Sequence, residues 1–262
     1  MASATPGRRR PLGILMLEGK MAQVPGCMAC AETFPYPVVR QVVTGSRTPL
    51  TAEEAWEMLP LYVAAARDLE RAGVAAITAN CGLIALMQRE LAAAVAVPVV
   101  TSALLLVPLV HRMIGGRRVG ILTFFADAVG EANYRASGWS ETEIPVALDG
   151  VGEHASWREF LRTKETPEPL RARLAADLLA VARRLVARYP DVGALVSECT
   201  MLPACLEAVR ARLPLPVYDV LTAVDLVMAG SFRPAAAAGG AELAGPGGER
   251  GGRGGRRGAE VA

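Results

Sequence analysis

Cys81 and Cys199 are the residues whose type and placement could do chemistry. Each closes an apolar run, Ile77-Thr78-Ala79-Asn80-Cys81-Gly82 and Leu195-Val196-Ser197-Glu198-Cys199-Thr200, and the two thiols stand 118 residues apart. The flanking segments overlay without a gap from Gly73-Val74 against Asp191-Val192 to Val97-Pro98-Val99 against Leu215-Pro216-Val217. One such thiol is most simply a small buried hydrophobe. Two in matching places of a duplicated chain point to a pair facing one bound molecule: one thiolate removes a proton from a carbon beside a carboxylate, and the opposite thiol returns one, with inversion. Asn80, Gly82 and Thr200 would hold the carboxylate with backbone and side-chain donors and stabilise the charge that develops. A helix expected to begin just after each cysteine would add unpaired N–H groups, which lower a thiol's pKa.

The elements that must position this pair follow from periodicity. Gly13-Ile14-Leu15-Met16-Leu17 reads as a buried parallel strand ending at Glu18. From Lys20 to Leu50 the chain is rich in Pro, Gly, Cys and aromatic residues, and it is expected to be a long functional loop that lids the cleft, with Cys27 or Cys30 near substrate. Thr51-Ala52-Glu53-Glu54 is a capping box that opens a helix to Ala72, followed by a strand from Val74 to Ala79. Leu83 to Val95 reads as helix, Val97 to Val100 as strand and Ser102 to Ile114 as helix. Val119-Gly120-Ile121-Leu122-Thr123 then repeats the first strand, so a second unit begins here. It continues with a helix after Asp127, a strand at Ile144 to Ala147, and a helix opened by Thr166-Pro167 whose stripe is Leu170, Leu174, Leu178, Val181 and Leu185. Strand Val192 to Ser197, helix Met201 to Leu213, strand Pro216 to Tyr218 and helix Leu221 to Gly230 complete it. Strand and helix in alternation imply an α/β fold of two pseudosymmetric parallel-sheet lobes with the active site in the cleft between them. Lobe one is expected over residues 1–104 and lobe two over 105–218.

Composition narrows the class. At 262 residues, 52% hydrophobic and 21% charged, the chain can bury a large core, and its net charge of +2 selects no acidic partner. Five cysteines do not form a secreted disulfide framework, so a reducing cytoplasm is the expected compartment. The stretch Leu91 to Val110 is broken by Pro98, Thr101-Ser102 and Pro108, and no membrane span is expected. Residues 233–262 collapse to Gly, Ala, Arg, Pro and Glu and read as a disordered tail; its Arg-Gly run is the sole hint of nucleic acid, a weak one without a folded RNA-binding motif.

Rival chemistries lack parts. A Schiff-base cofactor enzyme needs a well-placed lysine, and Lys20 and Lys164 are the only two, neither at a strand end. Cys27-Met28-Ala29-Cys30 would need two further ligands to hold zinc, with only His111 and His154 to offer. His111 and Cys205 read as structural. Glu18, Thr123 and Asp219 end expected strands, where each could contact the polar end of a substrate or cap a helix. Neither a cofactor nor a metal is expected.

From about Leu12 to Phe232 the chain resembles the aspartate/glutamate racemase superfamily, which includes hydantoin racemases, maleate cis-trans isomerases and arylmalonate decarboxylases. The resemblance rests on Asn80-Cys81-Gly82, on Glu198-Cys199-Thr200-Met201-Leu202-Pro203 and on Val119-Gly120-Ile121-Leu122-Thr123. It implies two pseudosymmetric lobes, a cofactor-independent active site between them, a last segment over 219–232 that returns to lobe one, and a homodimer. On that basis Cys81 and Cys199 are expected to be the catalytic pair of an amino-acid, hydantoin or related small-carboxylate racemase or epimerase, with Asn80, Gly82, Thr200, Thr123 and Glu18 binding substrate. Cis-trans isomerisation, decarboxylation and simple small-acid binding are the alternatives. Phe124-Phe125 stands where isomerase- and decarboxylase-like members often carry a tyrosine, and retention of both cysteines favours two-base chemistry.

Overall fold

The computed structural model describes residues 10–231; the Arg-Gly tail lies outside them. The first half runs β1 (Leu12–Leu17), β2 (Val38–Val43), α1 (Ala52–Arg71), β3 (Ala76–Ala79), α2 (Gln88–Ala94), β4 (Val99–Val100) and α3 (Val107–Met113). The second runs β5 (Arg118–Thr123), α4 (Glu131–Ala136), β6 (Val146–Gly150), α5 (Ala155–Thr163), α6 (Glu168–Arg188), β7 (Val192–Ser197), α7 (Glu207–Arg210), β8 (Val217–Asp219) and α8 (Val220–Ser231). The strands form two four-stranded sheets, β2-β1-β3-β4 and β6-β5-β7-β8, and every pairing is parallel. The two orders are the same when the halves are superposed in sequence. The internal repeat is therefore a repeat of topology, and it puts Cys81 and Cys199 just beyond equivalent inner strands, β3 and β7.

Burial explains the strands and the long helices. β1 and β7 are buried at every position, as parallel strands covered on both faces must be. On α6, Leu170, Leu174, Leu178, Val181 and Leu185 are all buried, and each such side chain contributes about 2 kcal/mol against exposure. Thr51 caps α1 by accepting from the Glu54 N–H, while the Glu54 carboxylate accepts from the N–H of Leu50 rather than that of Thr51. α8 leaves the second sheet and packs on β3 and β4 of the first.

Four sequence expectations need correction. The long segment after β1 is not all loop: Val38–Val43 pairs with β1 along its whole length as the edge strand of the first sheet. The helix expected at Leu83 to Val95 is divided into a 3-10 helix, Gly82–Met87, and the short α2. After Cys199 another 3-10 helix, Leu202–Cys205, carries Pro203 in its first turn and leaves only one turn of α7. The cap of α6 is Pro167 with no side-chain bond, not Thr166. Among the described residues no helix is long and apolar enough to cross a membrane.

Candidate functional site

The carboxyl ends of the parallel strands converge on one cavity of about 370 Å³, within the range of small-molecule sites. Glu18 comes to it from the end of β1, Asn80, Cys81 and Gly82 from β3, Thr123 from β5, and Cys199 and Thr200 from β7. The structure thus brings together all seven residues singled out for catalysis or binding. Asp219 stays away: it is 2% exposed, binds Arg210 at 2.8 Å and accepts from the Thr222 N–H at the start of α8. His111 closes a turn through Nδ1 and the Arg117 carbonyl oxygen at 2.9 Å.

The polar residues are tied into the frame and to one another. The Asn80 Oδ1 accepts from the Leu17 N–H at 2.8 Å, which joins β3 to the end of β1. The Thr200 hydroxyl donates to the Asn80 carbonyl at 2.6 Å, so the two cysteine-bearing segments are hydrogen-bonded directly to each other. Glu18 accepts from the Gly45 N–H at 2.8 Å and thereby fixes the turn after β2.

Expected helix N-termini do not activate the thiols, because burial dominates. The Cys81 pKa is pushed up to about 12, first by burial and then by the charge of Glu198. Backbone N–H groups of Leu83 and Ile84 aimed at its sulfur, and the Lys164 ammonium, work the other way. Burial raises Cys199 further still, with Glu198 adding to it and the Met201 N–H opposing. Cys81 keeps a part-open face, whereas Cys199 is 9% exposed. Both thiols therefore rest protonated, and the short 3-10 turns supply too few aligned dipoles to offset the loss of hydration.

Four charged residues that the sequence reading passed over line this cavity, Lys20, Arg47, Lys164 and Glu198, and two of them act on the thiols. Lys164 ends α5 with φ 59°, the left-handed region, and it is the only non-glycine residue with positive φ among those described. That conformation costs a β-carbon-bearing residue about 1 kcal/mol or more. It turns the half-buried ammonium toward the thiols; burial lowers its pKa, and the charges of Cys199, Cys27 and Cys81 hold it up. The sequence reading placed no helix over Ala155–Thr163, so nothing in it marked this turn. The second is Glu198, 2% exposed, whose Oε2 accepts from the Thr123 hydroxyl at 2.6 Å.

The segment around Cys27 is a docked cover. The Thr33 hydroxyl donates to the Cys27 carbonyl at 2.8 Å and accepts from the Gly26 N–H, and the Met28 N–H reaches the Thr200 carbonyl. Gly26 (φ +97°) presses on the Ala204 backbone, where a β-carbon would lie 2.6 Å from its Cα. Cys27 lines the cavity with its pKa pushed up to about 12 by burial; Cys30 is buried outside it. Among the described residues no three His, Cys, Asp or Glu side chains cluster as a metal site.

Solved structures share this architecture. A variant of arylmalonate decarboxylase superposes with a TM-score of 0.55 at 20% identity, covering 84% of this chain and 94% of that one. An aspartate racemase homologue from Pyrococcus horikoshii gives 0.53 at 15% identity over 85% and 97%. Glutamate racemase from Thermus thermophilus gives 0.50 at 20% over 87% and 84%. The chain has the aspartate/glutamate racemase fold. No protein-family model matches it. Among curated proteins, the chain is 28% identical over 236 residues to a dimethylsulfoniopropionate lyase of Durusdinium sp. clade D, covering 84% of the chain and 74% of the relative. It is also 28% identical over 264 residues to dimethylsulfoniopropionate lyase 5 of Emiliania huxleyi, covering 87% of the chain but only 46% of that longer protein.

Proposed function

We propose that the chain is an enzyme that removes a proton from the carbon next to a carboxylate, with a cleft thiol as base, and that the resulting carbanion expels a leaving group from the neighbouring carbon. The observation that carries this reading is the placement of Cys81 and Cys199 in one cavity with three cationic side chains, Lys20, Arg47 and Lys164. The cations suit a substrate carboxylate and the charge that builds on it as the proton leaves. The similarity to dimethylsulfoniopropionate lyases supports β-elimination as the fate of that charge. On dimethylsulfoniopropionate the thiolate takes the α-proton, the carbon–carbon double bond forms and the carbon–sulfur bond breaks. Its electron pair leaves with sulfur, giving acrylate and dimethyl sulfide. Phe124, Phe125 and Met21 line the same cavity and offer polarisable surface to a sulfonium group.

Racemisation or epimerisation is the second reading. It is favoured by the second thiol, which a simple elimination does not need and a two-base inversion does. Incubating the full chain separately with dimethylsulfoniopropionate and with a panel of amino acids and hydantoins, and following headspace dimethyl sulfide and optical rotation, separates the two. Dimethyl sulfide with stoichiometric acrylate is the expected result. Loss of optical activity in the panel without any sulfide would replace elimination by racemisation.

A further inference from the structure

Glu198 is a buried carboxyl group to which the proposed reaction gives no role. It sits between the lobes. Its N–H donates to the Leu122 carbonyl at 2.8 Å, its Oε2 is held by Thr123, and its Oε1, also buried, has no hydrogen-bond partner among the described residues. On the other side lies Gly82 of lobe one. A β-carbon there would overlap Glu198 Oε1 and the Glu198 carbonyl oxygen and would sit 2.8 Å from the carboxyl carbon. Gly82 and Glu198 are complementary in shape, and the carboxylate is lodged against the residue that follows Cys81 while belonging to the residue that precedes Cys199.

An unpartnered carboxylate oxygen in such a place is expensive to keep, because a buried charge without a donor loses its hydration. The groups that face it are Cys81 beyond β3, Cys199 of its own segment and Tyr134 from α4; Lys164 at the end of α5 and Cys27 face the sulfurs. Only Lys164 among these is cationic. We propose that Glu198 is a positioning residue for the thiol pair: lodged between Thr123 and Gly82, it holds one negative charge that excludes a second from either sulfur, so a thiolate forms only as Glu198 takes up a proton. The exchange balances. An S–H bond breaks, an O–H bond forms on Oε1, the electron pair stays on sulfur, and the net charge of the site is unchanged. Burial brings the Glu198 carboxyl up to about 7, which makes that uptake accessible in neutral solution.

This inference rests on the reading of the thiols as the reactive groups, but its test needs no substrate. Iodoacetamide alkylation of Cys81 and Cys199 in the full chain, resolved by peptide mass spectrometry from about pH 6 to about pH 10, reports thiolate content directly. Glu198→Gln keeps an acceptor for Thr123 and loses the charge. Both cleft thiols should then be alkylated about tenfold faster at about pH 7.5, with the profile moved to lower pH. Thr123→Val, which removes the donor from Oε2 and so lets Glu198 keep its proton to higher pH, should move both profiles the same way by about threefold. Cys205, buried outside the cavity, is the internal control, since a loosened fold would accelerate it too. Profiles that stay in place in either folded variant, or that move only in step with Cys205, overturn the proposal. A chain that alkylates as expected yet turns over no substrate would retire the elimination reading and leave this one standing.

Discussion

The two thiol-bearing strand ends are equivalent in topology and unequal in environment. Beyond β3, Cys81 is followed by a glycine, keeps a part-open face and has two backbone N–H groups aimed at its sulfur. Beyond β7, Cys199 is preceded by a buried glutamate, is nearly closed off and has one such N–H. Duplication supplied two matched positions; Gly82 and Glu198, which meet across the lobe boundary, then made them different. Cys81, the more exposed thiol, is the proposed base and Cys199 its proposed partner. A reaction that uses one base tolerates that inequality, whereas inversion in both directions would not gain from it.

The largest effect that could break the comparison is on turnover. Cys81→Ala should lower the rate of elimination by about a thousandfold, within the usual contribution of a general base, and Cys199→Ala by about tenfold. Equal losses in the two variants, measured as acrylate release, would restore symmetry to the pair. Next comes the lobe contact. Gly82→Ala forces the Glu198 carboxyl out of its niche and should cost about 3 kcal/mol in urea unfolding, whereas a β-carbon in an open site would cost little.

A third effect is on stability against pH. Glu198 has a folded pKa raised to about 7, above that of the unfolded chain, so the folded state holds the extra proton. Its contribution is fully present below the unfolded value of about 4.5 and is lost as pH rises through about 7, amounting to about 3 kcal/mol. Glu198→Gln should flatten that slope in thermal melts taken across this window. The smallest effect concerns Lys164. Lys164→Gly relieves the left-handed backbone and should stabilise the fold by about 1 kcal/mol while raising KM, which is the signature of strain kept for substrate. Loss of both stability and affinity would show instead that the lysine is structural.

How much of this was legible before the structure depends on the range of the interactions. The strand-helix alternation, the α1 cap and the stripe on α6 are local patterns, and they read correctly because periodicity is set by the backbone. The two cysteines were legible as a pair because the chain repeats itself. β2 was not, because Pro35 and Pro37 crowd its start, only one of its residues is fully buried, and Arg40 and Gln41 interrupt its valines, so no continuous apolar run marks it. Lys164 reaches the cavity only through the left-handed turn that ends α5, and the fit of Glu198 to Gly82 joins residues 116 positions apart. Thiol acidity was read with the wrong sign: a dipole argument made from local sequence gave way to desolvation, which only the packed structure reveals.

The most direct test of the thiol base is α-proton exchange. In deuterium oxide, dimethylsulfoniopropionate or a non-eliminating analogue such as a saturated carboxylate lacking the leaving group is incubated with the wild-type chain and with Cys81→Ala, and the α-carbon protons are followed by NMR. The account predicts washout of the α-proton of the analogue by the wild-type chain and none by Cys81→Ala. Washout at the wild-type rate in Cys81→Ala would contradict it.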